Sequence, residues 1–382
     1  MKLRLVLITE IIAPYRVPVL NALSTHGDID LHVVFLSETD ASLRQWNVPK
    51  EDIRFSYEVL PSFRLRVGEY NLLLNRRVCT ALELAHPDAI VCGGYSYAAS
   101  WQAAYWARTR RIPLLLWIES TAADQRRNRP LVEKLKRQFI EMCRGFVVPG
   151  TASTVYLRQF GIEEERIFRA PNAVDNGLFR AGATRARQDA DAVRRRLGLP
   201  GRYFLNVGRM VRAKGVFELL SAYAKLNPGL RASVGLVFVG DGAAKSELVE
   251  RAAQIDPGNI RFAGFVQREQ LADYYALADT LVFPTHSDTW GLVVNEAMAS
   301  GLPIIATEVA GCVADLVQHE WNGMVIPPFN VAELRAAMAQ IASSDCRSQM
   351  AERSGQRIQA YSPAAWSAGM AKAVTAVCGR RQ

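Results

Sequence analysis

Short apolar runs recur along the chain, each followed by a longer stretch of helical character. They cover residues 3–8, 31–36, 89–92, 114–118 and 146–148, then 203–207, 234–239, 280–283 and 304–306. These runs lack strict apolar–polar alternation, so they suit strands buried on both faces of a parallel sheet. Strand alternating with helix over the whole length predicts an α/β protein. The pattern breaks between Phe179 and Tyr203, where residues 180–201 are arginine-rich and close on a Gly198-Leu199-Pro200-Gly201 turn. We therefore expect two doubly wound domains, residues 1–179 and 202–363, joined by a linker at 180–201. Ligand would be held in a cleft that the carboxyl ends of both sheets face. Farther on, Trp366, Met370, Val374 and Val377 recur at spacings of four, four and three. That is one apolar helical face, within residues 364–382, needing something to pack on.

Composition narrows the class. The chain has 382 residues, 49% apolar and 22% charged, which excludes disordered, collagenous and disulfide-scaffold classes. Cys79, Cys92, Cys143, Cys312, Cys346 and Cys378 lie far apart, with no CxxC pair and no Cys/His cluster. Zinc and iron–sulfur sites are not expected, and the thiols fit a reducing cytoplasm. The longest uncharged stretch, 89–107, contains Gly93-Gly94, Ser96, Ser100 and Gln102, so it predicts strand, glycine turn and helix rather than a membrane span. The net charge of +9 points to an anionic partner. Nucleic acid would need a stacking or groove-reading module, and none is present. Residues 108–144 carry ten basic groups, Arg126, Arg127, Arg129 and Lys136 among them, against four acidic ones. This stretch is either a docking surface for anionic lipid on the inner membrane face or a solvated helix face.

The most informative segment runs Ser287-Asp288-Thr289-Trp290-Gly291-Leu292-Val293-Val294-Asn295-Glu296-Ala297-Met298-Ala299-Ser300-Gly301-Leu302-Pro303. It lies between two predicted strands, so it is a loop entering a helix. Gly291 lets backbone approach a ligand, and the free N–H groups of Gly291, Leu292 and Val293 offer an anion site. Asp288 and Glu296 bracket the turn; the plainer alternative makes them a helix cap and a solvated charge.

This segment resembles the signature of the glycosyltransferase family 4 enzymes of the GT-B fold: a carboxylate, seven residues, a glutamate, small residues and Gly-x-Pro. Four further stretches match in the family's order. They are Pro171-Asn172-Ala173-Val174-Asp175, with Ala173 replacing glycine; Asn206-Val207-Gly208-Arg209 followed by Lys214-Gly215; Val239-Gly240-Asp241-Gly242; and Phe262-Ala263-Gly264-Phe265-Val266. The likeness is close over about residues 170–330 and loose in the N-terminal half. It implies two Rossmann-like domains, the second holding a nucleoside-diphosphate sugar and the first an acceptor. The last helix would cross back onto the first domain. It also implies retaining, metal-independent transfer to a hydroxyl, with no bound cofactor and a UDP-sugar as favoured donor, in the synthesis of cell-surface polysaccharide or glycolipid.

Residue roles follow from the same resemblance. Arg209 and Lys214 would meet the charge developing on the departing diphosphate. Glu296 would accept hydrogen bonds from ribose hydroxyls and Asp288 would contact the donor sugar. Asp288 stands where the family usually has glutamate, and Glu119 where it often has histidine. A carboxylate at 119 can steady positive charge or orient an acceptor hydroxyl; alternatively it caps a helix or pairs with Arg126 or Arg127. The first loop lacks the family's glycines, and Tyr15, Arg16, Tyr95 and Tyr97 are candidate acceptor contacts. The Asp28-Ile29-Asp30 and Asp189-Ala190-Asp191 matches to a metal motif fall away from strand carboxyl ends and are read as chance spacing. Two other classes stay open: a nucleotide-sugar 2-epimerase on the same fold, and a non-catalytic binding protein.

Overall fold

The structure, a computed structural model, describes residues 2–39, 46–48, 50–67, 70–124, 130–256, 258–343 and 347–379. The chain forms two compact units, residues 1–174 with 362–382, and residues 175–361.

The first unit contains strands β1 (Leu3–Thr9), β2 (Ile29–Phe35), β3 (Ser56–Val59), β4 (Ser62–Val67), β5 (Tyr70–Asn75), β6 (Ala89–Cys92), β7 (Leu114–Trp117), β8 (Gly145–Val148) and β9 (Ile167–Arg169). Seven of them make one parallel sheet in the order β3-β2-β1-β6-β7-β8-β9, and β4 and β5 form a separate antiparallel hairpin. The strands β6, β7 and β8 are buried at every residue. Burial on both faces explains why their sequences do not alternate. One face packs Val6, Ile90, Leu116 and Phe146 under helices; the other packs Leu5, Val91, Leu115 and Val147. The last helix, Pro363–Gly379, closes that second face. Trp366, Met370, Val374 and Val377 are fully buried there, and the Trp366 ring meets Trp117 edge-on at 5.2 Å.

The second unit contains β10 (Tyr203–Val207), β11 (Gly235–Val239), β12 (Ile260–Gly264), β13 (Thr280–Phe283), β14 (Ile304–Thr307) and β15 (Gly323–Ile326). They form a parallel sheet in the order β12-β11-β10-β13-β14-β15. Residues 180–201, expected as a linker, are instead mostly helical. They continue the helix Asn176–Gln188 and form Ala190–Leu197, and both belong to this unit, so the boundary falls at Val174/Asp175. The arginines mislead because most of them lie outside the narrow stripe that is buried. Phe179, Ala183 and Ala186 are buried in that stripe, and the helix packs on Arg268–Leu277 and Leu292–Ala299. Arg187 donates to the Ala276 and Ser300 carbonyls at 2.9 and 2.6 Å.

Each sheet reverses its winding once, between β1 and β6 in the first unit and between β10 and β13 in the second. Loops leaving adjacent strands there diverge to opposite faces and leave a crevice at the carboxyl ends. The five described cysteines are free thiols, and Cys346 lies outside the described residues. Among the described residues no helix is long and apolar enough to cross a membrane.

The Trp366 side chain is fully buried, so Trp366→Ala should destabilise the first unit by about 3–5 kcal/mol. Calorimetry should show its melting transition lowered by roughly 10 °C. An unchanged melting temperature would remove the last helix from the core.

Candidate functional site

In the second unit the loops after β10 and β11 interlock backbone to backbone. Gly208 N–H donates to the Val239 carbonyl at 2.9 Å, and Met210 N–H to that of Asp241 at 2.8 Å. Gly240 has φ +133°, and a Cβ there would overlap the Gly208 carbonyl oxygen, so glycine is required. The Arg209 side chain is exposed and forms no ion pair with another described residue. Lys214, by contrast, is held in an ion pair. Its Nζ donates to Asp288 Oδ2 at 2.5 Å, and both side chains are only 19% exposed. Asp288 Oδ1 accepts from Trp290 N–H at 3.1 Å, and its carbonyl accepts from Gly311 N–H at 3.0 Å. The two crevice loops are also tied directly, since His286 N–H and Thr285 Oγ1 both donate to the Ala213 carbonyl, at 2.9 and 3.2 Å.

Gly291 has φ +97° and starts the helix Leu292–Ala299, and a Cβ on it would press into the Phe283 ring at 2.7 Å. The amides of Gly291, Leu292 and Val293 therefore open a helix without acceptors in its own first turn. Glu296 lies one turn farther on, 7% exposed, and its Oε2 accepts from the Tyr275 hydroxyl at 2.7 Å. Burial pushes its carboxyl up to about 7, against the opposing pull of Tyr275 and Arg268.

At the first unit's crevice, Arg16 Nη1 donates to Thr9 Oγ1 at 2.7 Å, and its guanidinium lies over the Trp117 ring at 4.5 Å. Arg16 Nη2 is 3.7 Å from Glu119 Oε1. Burial opposes the guanidinium charge, but Tyr15, Glu119 and Glu10 outweigh it and hold the group charged. Thus Glu119 pairs with Arg16; Arg126 and Arg127, the partners considered for it, lie outside the described residues. Tyr15 meets Trp46 edge-on at 5.8 Å. Tyr97 shares a hydrogen bond with Glu10, and its phenol is pushed up first by burial and then by that carboxylate. Tyr95 packs against Phe139 with ring centroids 6.3 Å apart, and its hydroxyl bonds Ser120. Arg16, Glu119, Tyr97 and Glu10 thus form one polar group, while Tyr95 is turned toward the core.

The 108–144 stretch is not an unbroken basic face. Lys136 is buried, 2.7 Å from both Glu133 Oε1 and the Tyr156 hydroxyl. Arg110 bonds Glu83 at 2.7 Å and covers the Trp106 ring. Arg126, Arg127 and Arg129 lie outside the described residues. Asp28 and Asp30 flank the first residue of β2, and Asp189 and Asp191 sit at a junction of two helices. Both pairs are away from the carboxyl ends of the strands.

Comparison with known proteins agrees with this geometry. The chain matches the family models described as Glycosyltransferase Family 4 over residues 19–177 and Glycosyl transferases group 1 over residues 189–360. It belongs to glycosyltransferase family 4. It is 30% identical over 298 residues to a GDP-mannose-dependent alpha-mannosyltransferase of Corynebacterium glutamicum, covering 75% of this chain and 63% of that one. It is 31% identical over 203 residues to the D-inositol 3-phosphate glycosyltransferase of Acidothermus cellulolyticus, covering 50% and 44%. The chain spans about half the length of the first curated relatives it matches. Anabaena HepE, crystallised with UDP, superposes with a TM-score of 0.75 at 18% identity, covering 97% of this chain and 99% of that one. The fold of this family 4 chain is GT-B, built from two Rossmann-like domains.

Three partnerships in the candidate site have no counterpart among the sequence motifs. Tyr275 holds Glu296, from a helix with no fixed spacing to it. Trp290 Nε1 donates to Asn295 Oδ1 at 2.9 Å, bracing the turn from within the signature. His286 lies against the Phe329 ring at 3.8 Å with its Nε2 3.3 Å from Glu218 Oε2.

Glu296 binds its proton more tightly in the folded chain than in the unfolded one, from 4.5 up to about 7. Its contribution to stability is therefore fully present below the lower value and lost as pH rises through the upper, a change of about 3 kcal/mol. Melting temperatures of wild type and Glu296→Gln, measured from pH 4 to 8, should diverge across that window and run parallel above it. Parallel curves throughout would refute a buried, readily protonated Glu296.

Proposed function

We propose that the protein is a retaining glycosyltransferase that moves a sugar from a nucleoside-diphosphate sugar to a hydroxyl acceptor, a sugar or a lipid-linked one. The observation that carries this is in the second unit, where the loop after β10, which bears Arg209 and Lys214, is tied through the Lys214–Asp288 pair to the loop that enters the helix at Gly291. Cations and free amides together suit a diphosphate. Family membership and the UDP complex of HepE support a nucleotide-sugar donor, with uridine the favoured base.

In this reading the diphosphate lies against the Gly291–Val293 amides, with Arg209 as a two-pronged contact and Lys214 as a point charge. Glu296 Oε2 is engaged by Tyr275, which leaves Oε1 for the ribose hydroxyls. Asp288 steadies Lys214 and accepts from a donor-sugar hydroxyl. The glycosidic C–O bond to the phosphate breaks as the acceptor hydroxyl attacks the same face, and the departing phosphate oxygen takes the acceptor proton. In the first unit, Glu119 and Arg16 orient the acceptor hydroxyl, with Tyr15 and Tyr97 beside them. The setting is synthesis of cell-surface polysaccharide or glycolipid, in the cytoplasm or peripherally on the inner membrane face.

Thermal-shift screening across nucleoside diphosphates tests the donor site; saturation at about 100 times Kd should stabilise by roughly 2.7 kcal/mol. No shift with any of them would overturn the reading. Arg209→Ala and Lys214→Ala should each lower turnover about 100-fold or more, the scale for a preorganised charge stabiliser. The measurement is acceptor-dependent UDP release, and wild-type rates in both variants would sink the diphosphate assignment.

Divalent cations should be dispensable, because the crevice offers the diphosphate basic and amide groups, and the Asp-x-Asp pairs lie elsewhere. Transfer should persist in EDTA; loss restored by magnesium or manganese would return those pairs to consideration.

A further inference from the structure

We propose that the β4–β5 hairpin of the first unit is a bilayer-docking element that lays one apolar face into the headgroup boundary of an anionic membrane. The hairpin pairs Phe63 with Leu74 and Leu65 with Leu72 across its two strands. Side chains alternate faces along a strand, so these four share one face. They are 63%, 43%, 44% and 45% exposed in the order Phe63, Leu74, Leu65, Leu72. The opposite face is anchored. Leu73 and Asn75 are buried, and Asn75 Nδ2 donates to the Leu36 carbonyl at 2.6 Å. The exposed face is therefore a fixed surface of four large apolar groups, a grouping that in a monomer is often functional.

Charge and area choose the occupant. Arg76 and Arg77 follow β5 directly and are exposed, and Arg76 N–H closes the hairpin base on the Pro61 carbonyl. Apolar side chains beside exposed arginines fit a layer of acyl chains beneath anionic headgroups. A second copy of the chain would set like charges together, and four half-exposed side chains fall well short of the ~800 Å² per partner of a stable interface. The hairpin also sits beside the acceptor candidates. Arg64 donates to the Thr39 carbonyl and is close enough to Tyr97 to favour its charged form. Docking there would hold the Tyr97–Glu10 group at the membrane surface, and so the inference rests on the reading of the acceptor as lipid-linked.

The experiment is co-sedimentation of the full chain with phosphatidylglycerol-containing and with pure phosphatidylcholine vesicles, at low and high salt. UDP thermal shifts are recorded on the same samples. Wild type should bind the anionic vesicles at low salt and be weakened by high salt. The double variant Phe63→Ser/Leu72→Ser should lose about tenfold or more in binding while its UDP shift stays intact. Arg76→Gln/Arg77→Gln should lose a similar factor at low salt, about fivefold per charge, and little at high salt. Wild-type binding by the apolar double variant, or no binding by the wild type, would overturn the proposal. So would dimerisation in light scattering that the Phe63→Ser/Leu72→Ser variant abolishes, which would assign the face to a second copy. Absence of a UDP shift in wild type would count against the transferase reading and leave the vesicle result standing.

Discussion

The second unit's candidate site depends on backbone atoms holding backbone atoms. Gly208 and Met210 are bonded backbone to backbone to Val239 and Asp241, and Gly240 lies close against Gly208, so the two loops are locked together by main chain, with side-chain bonds such as Lys214–Asp288 and Trp290–Asn295 added to that frame. Arg209 is exposed, and among the described residues Lys214 has a single ionic partner in Asp288. A carboxylate one methylene longer than Asp288 would meet the lysine in a different geometry. The shortened residue is thus tied to the arrangement of the cations, whichever hydroxyls it also contacts.

The two crevices differ in electrical character. That of the second unit presents exposed positive charge and the first amides of a helix, with Asp288 paired to Lys214 and Glu296 buried beside Tyr275. That of the first unit presents a guanidinium with Glu119 and Glu10 close by, among aromatic rings. The former suits a dianionic group. The latter suits neutral hydroxyls, which need both donors and acceptors and gain from an apolar wall.

Much of this was legible in the chain because the signals were local. Apolar runs marked nine of the strands, and the order of short motifs marked the family. The Trp366–Val377 spacing marked a buried face. What escaped was set by tertiary context. The arginines of 180–201 suggested solvent because burial there falls to Phe179, Ala183 and Ala186, which are few and mostly small. Lys136 read as surface charge, yet Tyr156 and Glu133 satisfy it inside. The β4–β5 hairpin was missed because the run Leu72-Leu73-Leu74 hides its alternation. Tyr275 and His286 gained their partners from elements far apart in sequence.

The chain leaves the first unit at Val174 and returns to it at Ser362. Domains ordinarily fold as units in the order in which they emerge from the ribosome. Here that order is reversed for completion. One face of the first sheet lacks the Trp366 helix until residues 175–361, already a closed set, have been made. Until then Leu5, Val91, Leu115 and Trp117 have only the helix Val17–Ser24 and its neighbours for cover, so this face is the part of the nascent chain most open to chaperones and to aggregation.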